Sequence, residues 1–216
     1  MNLNSKFDYQ RLMLGWSFAL FFFIFANSFL SQNNDTINQM SNGLRHGYWI
    51  LNGDITGNKD YVPVAKVEEG MFNNGRRAGL WIKYYPKGAI KSKINYVNGK
   101  PQGDFITYYK NGQIEEKGDW RSKVYNGDFI RYYENGKIAQ KKSFNDKGKT
   151  EGKVAYYYPN GKEELVFETT NGKGQGKATR YWPNGDVKEK ITFNEKGESA
   201  SSGTIRRKNP PVKNAR

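Results

Sequence analysis

The chain has 216 residues, a formal net charge of +14 and no cysteine. Disulfide frameworks, thiolate zinc sites, cysteine nucleophiles and a lipoprotein-type lipid anchor on cysteine are therefore excluded. Apolar residues make up only 36 %, while there are 24 glycines, 15 tyrosines and 13 phenylalanines, which fits a turn-rich all-β chain better than a thick-cored α/β enzyme.

In chain order, the first feature is an uncharged apolar run, Leu12 to Phe25, preceded by Lys6 and Arg11 and followed by Ala26-Asn27-Ser28. A basic start, a short apolar stretch and small residues flanking a cut before Phe29 read as a secretory signal over residues 1–28. Extended to Leu30, the run approaches the ~20 residues of a membrane span, so an uncleaved anchor is the alternative. Both readings place the remainder outside the cytoplasm, in the periplasm, outer envelope or medium. Residues 29–41 read as a linker.

From residue 42 to residue 197 the sequence repeats. Five lines carry the register: GLWIKYYPKGAI from Gly79, GDFITYYKNGQI from Gly103, GDFIRYYENGKI from Gly127, GKVAYYYPNGKE from Gly152 and GKATRYWPNGDV from Gly176. The first glycines are 24, 24, 25 and 24 residues apart, and a second glycine follows nine residues later, at Gly88, Gly112, Gly136, Gly161 and Gly185. A degenerate copy begins at Gly47, carries about eight extra residues around Asn52–Pro63, and ends near Phe72. Each unit reads as two strands, the first rich in aromatic and β-branched residues, the second starting at Ile90, Ile114, Ile138 or Val187. An Asn-Gly pair between strands ordinarily signals a two-residue type I′ hairpin. Here proline opens the turn in three of five copies (Pro86, Pro159, Pro183), which favours a type I turn closed by a left-handed glycine and a G1 bulge. Links such as Asn98-Gly99-Lys100-Pro101-Gln102-Gly103 carry further turn chemistry and contain the one histidine, His46. The expected fold is all-β: an elongated single-sheet antiparallel meander of about six ~24-residue hairpins, stabilised by stacking copies side by side.

The G-x-W/F-x-x-Y-Y-x-N-G strands and n-G-k-x-x-G links resemble the MORN repeat, in its bacterial variant form, over roughly Asn42–Gly197. The resemblance implies a hairpin-repeat fold with no catalytic residues of its own. It also implies roles in scaffolding and membrane apposition or, for some bacterial members, as antitoxins.

Side chains alternate across a strand. Counting from the first glycine, positions +2, +4 and +6 share a face and read Trp81-Lys83-Tyr85, Phe105-Thr107-Tyr109, Phe129-Arg131-Tyr133 and Ala178-Arg180-Trp182. Positions +3 and +5 form the other face, and no helix is expected to cover either one. Two readings stay open: the rings pack on one another, or the first face is an aromatic–basic platform for a ligand. The candidate ligand-binding residues are Trp81, Lys83, Tyr85, Tyr109, Arg131, Tyr133, Arg180 and Trp182.

No catalytic constellation emerges, and no metal or cofactor is implied. His46 has no triad around it, and metal-ligand spacings are missing. Of the candidate carboxylates for glycoside chemistry, Asp104 and Asp128 become Lys153 and Lys177 in later copies, as a solvent-facing slot would. The partner expected first is a protein, then an anionic glycan or membrane surface. Nucleic acid is set aside, because the export signal opposes it and no nucleic-acid motif is present. The last segment, 198–216, reads as a basic disordered tail.

Overall fold

The computed structural model describes residues 37–204 except Ser122. The segment read as an export signal, the first part of the linker and the end of the basic tail lie outside the described residues.

Among those residues the chain forms fourteen strands and one helical turn. The first unit comprises β1 (Gln39–Ser41), β2 (Leu44–Asn52), α1 (Gly53–Thr56) and β3 (Lys66–Asn73). The five full hairpins are β4 (Arg76–Tyr84) with β5 (Ile90–Val97), β6 (Lys100–Tyr108) with β7 (Ile114–Arg121), and β8 (Val124–Tyr132) with β9 (Ile138–Phe144). They continue as β10 (Thr150–Tyr157) with β11 (Glu163–Thr170) and β12 (Lys173–Tyr181) with β13 (Val187–Phe193), and β14 (Ser199–Thr204) follows. Each strand pairs antiparallel with the next in sequence, giving one open sheet ordered β1 to β14.

Three expectations are corrected at the sheet's ends and in the first unit. The linker does not run to residue 41, because Gln39–Ser41 pairs with Leu44–His46. The tail does not begin at 198, because Ser199 pairs with Phe193 and Thr204 with Glu189. The physical reason is the same at both ends. An exposed strand leaves a row of backbone donors and acceptors unpaired, and a polar segment can satisfy them whatever its side chains. The extra residues of the first unit include a helical turn, capped by Asn52, whose Oδ1 accepts from the Ile55 amide at 2.9 Å. His46 lies within β2 rather than in a turn.

The Asn-Gly dipeptide takes two different conformations at the two rims of the sheet. At the rim inside each unit, the Gly112 amide donates to the Tyr109 carbonyl at 3.0 Å and the Tyr109 amide to the Gln113 carbonyl at 2.8 Å. Gly112 sits at φ +86° while Asn111 keeps a negative φ. This is the expected type I turn with a G1 bulge. Asn111 accepts from the Gln113 amide at 2.9 Å, and its Nδ2 donates to the Glu134 carbonyl of the next turn at 3.2 Å. Asn135 and Asn160 repeat that reach to the Pro159 and Pro183 carbonyls. At the rim between units, Asn74 and Gly75 are both left-handed (φ +46° and +74°), as are Asn98-Gly99 and Asn171-Gly172, the pattern of a type I′ turn. There the Gly75, Gly99 and Gly172 amides donate across to the preceding unit at Arg45, Arg77 and Thr150. Both rims are therefore stitched from unit to unit through backbone carbonyls.

The first glycine of each unit is a bulge inside a strand, not the end of a link. On β4, Trp81 faces Gly70 and Ala78 faces Met71, so Gly79 and Leu80 are extra residues. Gly79 takes φ +66° with open space where a Cβ would lie. Its requirement is for conformation rather than room.

The core is a layer of rings on one face, here the aromatic face. Directly opposed residues share a face, and the register places Trp49, Gly70, Trp81, Ile94, Phe105 and Gly118 in one row. Trp49, Trp81, Phe105 and Phe129 are 2–7 % exposed. Phe72 packs edge-on between Trp49 at 5.9 Å and Trp81 at 4.8 Å. Trp120, Tyr125 and Phe144 stack at 4.3 and 5.1 Å. A Cβ on Gly70 would meet the Trp81 ring at 2.6 Å, so the indole lies flat across a residue that has no side chain. Packing of ring on ring is what seals one side of a sheet that no helix among the described residues covers.

Candidate functional site

The structure separates the eight candidate residues by what each touches. Trp81 is an interior residue, 3 % exposed, with its indole N–H donating to the Met71 carbonyl at 3.0 Å; it has no ring face left for a ligand. Tyr85, Tyr109 and Tyr133 do not continue the strand face, because β4, β6 and β8 end one residue earlier, each after a bulge. Their hydroxyls form a latch between units, donating to the carbonyls of Tyr108, Tyr132 and Tyr157 at 2.6–2.7 Å. Tyr61 in the insertion and Tyr158 complete it, through the Tyr84 and Tyr181 carbonyls. Burial, then neighbouring glutamates, push the Tyr85 and Tyr109 phenols above the ordinary value. These phenols serve as neutral donors.

Arg131 and Arg180 are charge-paired across strands. Arg131 Nε donates to Glu116 at 2.7 Å, and Arg180 pairs with Glu189 at 3.1 Å. Arg77 pairs with Glu68 and lies 4.3 Å from the Trp81 ring centroid. Arg45 covers Trp49 at 4.9 Å. Lys142 lies 4.9 Å from Phe129, its ammonium lowered by burial and by Arg131. Lys188 covers Trp182 at 4.4 Å. Of the eight candidates, Lys83 alone is an exposed side chain with neither an ion pair nor a stacked ring among the described residues. The aromatic–basic face is thus largely satisfied from within.

The opposite face differs. One unbroken row of opposed residues crosses it: Ile50, Glu69, Ile82, Lys93, Ile106, Lys117, Ile130, Lys141, Ala155, Val166, Thr179 and Lys190. From Ile82 to Lys141 isoleucine and lysine alternate strictly. Alternate strands are roughly 10 Å apart, so Lys93, Lys117 and Lys141 form an evenly spaced line of ammoniums between half-buried isoleucines. None of the three forms an ion pair among the described residues; Lys117 sits 5.9 Å from the Tyr132 ring. These three lysines escaped the sequence reading, which followed first strands. Their signal was present, since each lies three residues after the isoleucine that opens the second strand.

At the β2–β4 end of this face the row holds one carboxylate, Glu69, 7 % exposed. Burial alone would raise its pKa. Lys66 at 2.8 Å, the Tyr84 hydroxyl and Tyr48 outweigh burial and hold it below the usual value. In return, burial and the Glu69 charge push Tyr48 up to about 12.

A shallow groove of about 380 Å³ opens on the same face over β8, β9 and β10, between Ile130, Lys141, Lys153, Ala155 and Tyr157. Among the described residues no three His, Asp or Glu side chains gather as metal ligands.

A search of curated proteins finds no match. A family model described as MORN repeat variant matches residues 77–98, 101–121, 125–146 and 174–195. These segments are the hairpins β4–β5, β6–β7, β8–β9 and β12–β13; β10–β11 forms the same hairpin but is not among the matched segments. The repeat is of a binding type and generally non-catalytic, and this chain is a MORN-repeat variant protein.

Proposed function

We propose that this chain is an exported, non-catalytic interaction module that holds a protein partner at the cell envelope, using the isoleucine–lysine face. One observation carries the reading: Lys93, Lys117 and Lys141 stand among half-buried isoleucines with no ion pair among the described residues, while on the other face Arg45, Arg77, Arg131, Arg180 and Lys142 are stacked on rings or paired. Mixed apolar and cationic rows suit a partner offering acidic and apolar side chains together. The export component rests on the run Leu12–Phe25 with its basic and small-residue flanks.

The test is capture from envelope extract by the immobilised full chain. The expected result is a protein partner retained by the wild type, kept by Arg131→Gln/Arg180→Gln and lost by Lys93→Glu/Lys117→Glu/Lys141→Glu. Equal capture by the triple variant overturns the assignment of the face. Retention of wall polymer or anionic vesicles only, collapsing as salt rises, replaces a protein partner with a polyanion.

A further inference from the structure

The groove over β8–β10 lies where the repeat first departs from the pattern of its earlier full units. At the +3 position the earlier full units carry Ile82, Ile106 and Ile130; here it is Ala155. At +1 the two preceding units carry Asp104 and Asp128; here it is Lys153. Loss of side-chain volume and reversal of charge therefore coincide, beside the unpaired Lys141, which is directly opposed to Ala155.

Lys153 has an unusual partner. Its register neighbour is Glu168, yet its ammonium lies 3.6 Å from Glu163, which belongs opposite Tyr157. Four residues of strand separate Lys153 from Tyr157, about 13 Å. The two side chains meet by reaching towards one another along the strand, past Ala155, which is 2 % exposed although it is the smallest side chain in the row. Both partners are well exposed (58 % and 40 %), and an exposed pair at this distance is weak. Across the groove, Asp128 is engaged by the Ser143 hydroxyl at 2.6 Å.

Building on the protein-binding reading above, we infer that this groove is a docking site for an acidic side chain of the partner flanked by apolar residues, and that Glu163 holds the place in the free protein. The incoming carboxylate takes Lys153 from Glu163 and gains Lys141, while its apolar neighbours cover Ala155 and Ile130. Charge complementarity selects an acidic segment: the chain is strongly basic, and beside Asp128 the groove is lined by Lys141 and Lys153, of which Lys141 forms no ion pair among the described residues.

The test is a fluorescence anisotropy titration of the full chain at low salt. The probe is a labelled Gly-Ser peptide with a central Leu-Glu-Leu, compared with its Leu-Gln-Leu counterpart. The wild type should prefer the glutamate peptide by about fivefold or more. Lys141→Glu/Lys153→Glu should weaken it by about tenfold or more, and Ala155→Ile, which restores the residue of the three preceding full units, should weaken it by about tenfold through occlusion. Glu163→Gln should tighten it by about two- to fivefold by removing the resident carboxylate, whereas Glu168→Gln, the same change in net charge on the same strand, should leave it within about twofold.

Indifference between the two peptides overturns the site. So does equal tightening by Glu163→Gln and Glu168→Gln, which would make the effect one of net charge. The larger reading fails separately. A partner captured equally by wild type and Ala155→Ile removes the groove and keeps the protein-binding role. A peptide series that behaves as expected, with no protein captured, keeps the groove and removes that role.

Discussion

The two faces of this sheet both mix apolar and cationic side chains, to opposite ends. On one, tryptophan, phenylalanine and tyrosine interlock, and the arginines Arg77, Arg131 and Arg180 above them are stacked on rings or paired with glutamates. On the other, isoleucine alternates with lysine, and Lys93, Lys117 and Lys141 form no ion pair among the described residues. The first face does the work that a second layer does in a two-layer fold: it removes apolar area from water by lateral packing. The second face is therefore free to be selected for a partner. In a repeat protein the most conspicuous residues are those that every copy needs for geometry, so function is better sought where copies disagree, as at Ala155 and Lys153.

The largest expected effect tests whether the aromatic face really is the core. Trp81→Ala should cost about 3–5 kcal/mol, the range for removing a buried large ring. Ile106→Ala, on the lysine face, should cost far less because its side chain is only half-buried. Equilibrium urea denaturation reads both; similar losses would abolish the distinction between the faces. Gly79→Ala comes next. Its backbone is left-handed in open space, so the loss should be about 1–2 kcal/mol from conformation alone.

Tyr109→Phe removes a hydroxyl that donates to the Tyr132 carbonyl at 2.7 Å and should cost about 1 kcal/mol, with binding at the lysine face unchanged. Glu69 gives the comparison a pH axis. Its folded pKa is held below its unfolded value, so its contribution to stability is present above that unfolded value, near ~4.3. It is lost as pH falls through the folded value. Tyr48 acts in the opposite sense: with its phenol pushed up to about 12, its contribution is present below its ordinary value of 10.0 and fades as pH rises through 12. Glu69→Gln should flatten the acid limb of a stability–pH curve and reduce the alkaline limb.

The periodic part of this fold was legible in the sequence because its causes are local. The 24-residue register, the aromatic first strands and the type I turn with its G1 bulge follow from Pro86, Asn111 and Gly112 and their counterparts. What was not legible depends on pairing across strands. The bulge at Gly79 and the shift after Lys83 end the strand before Tyr85, so a face counted by simple alternation assigns a ligand role to residues that form the latch. Edge strands at Gln39–Ser41 and Ser199–Thr204 carry no apolar signature, since pairing through the backbone is enough to place them. Arg131 and Arg180 read as free cations until the register sets Glu116 and Glu189 opposite them. The groove needs three strands in place, and Lys141 belongs to a second strand that pattern reading passed over.

The smallest expected effect on stability is also the cleanest separation of the two kinds of cation. Arg131 and Lys117 lie on adjacent strands of opposite faces, one paired with Glu116 and the other with no carboxylate partner among the described residues. The Arg131 side chain is half exposed (52 %), so Arg131→Gln should cost at most about 1 kcal/mol, while leaving partner capture intact. Lys117→Gln should cost nothing measurable in urea, because no ion pair is broken, yet it should weaken capture and reduce its salt dependence. If instead Arg131→Gln impairs capture and Lys117→Gln does not, the binding surface belongs to the aromatic face, and the ion pairs there open on binding rather than closing the face to a partner.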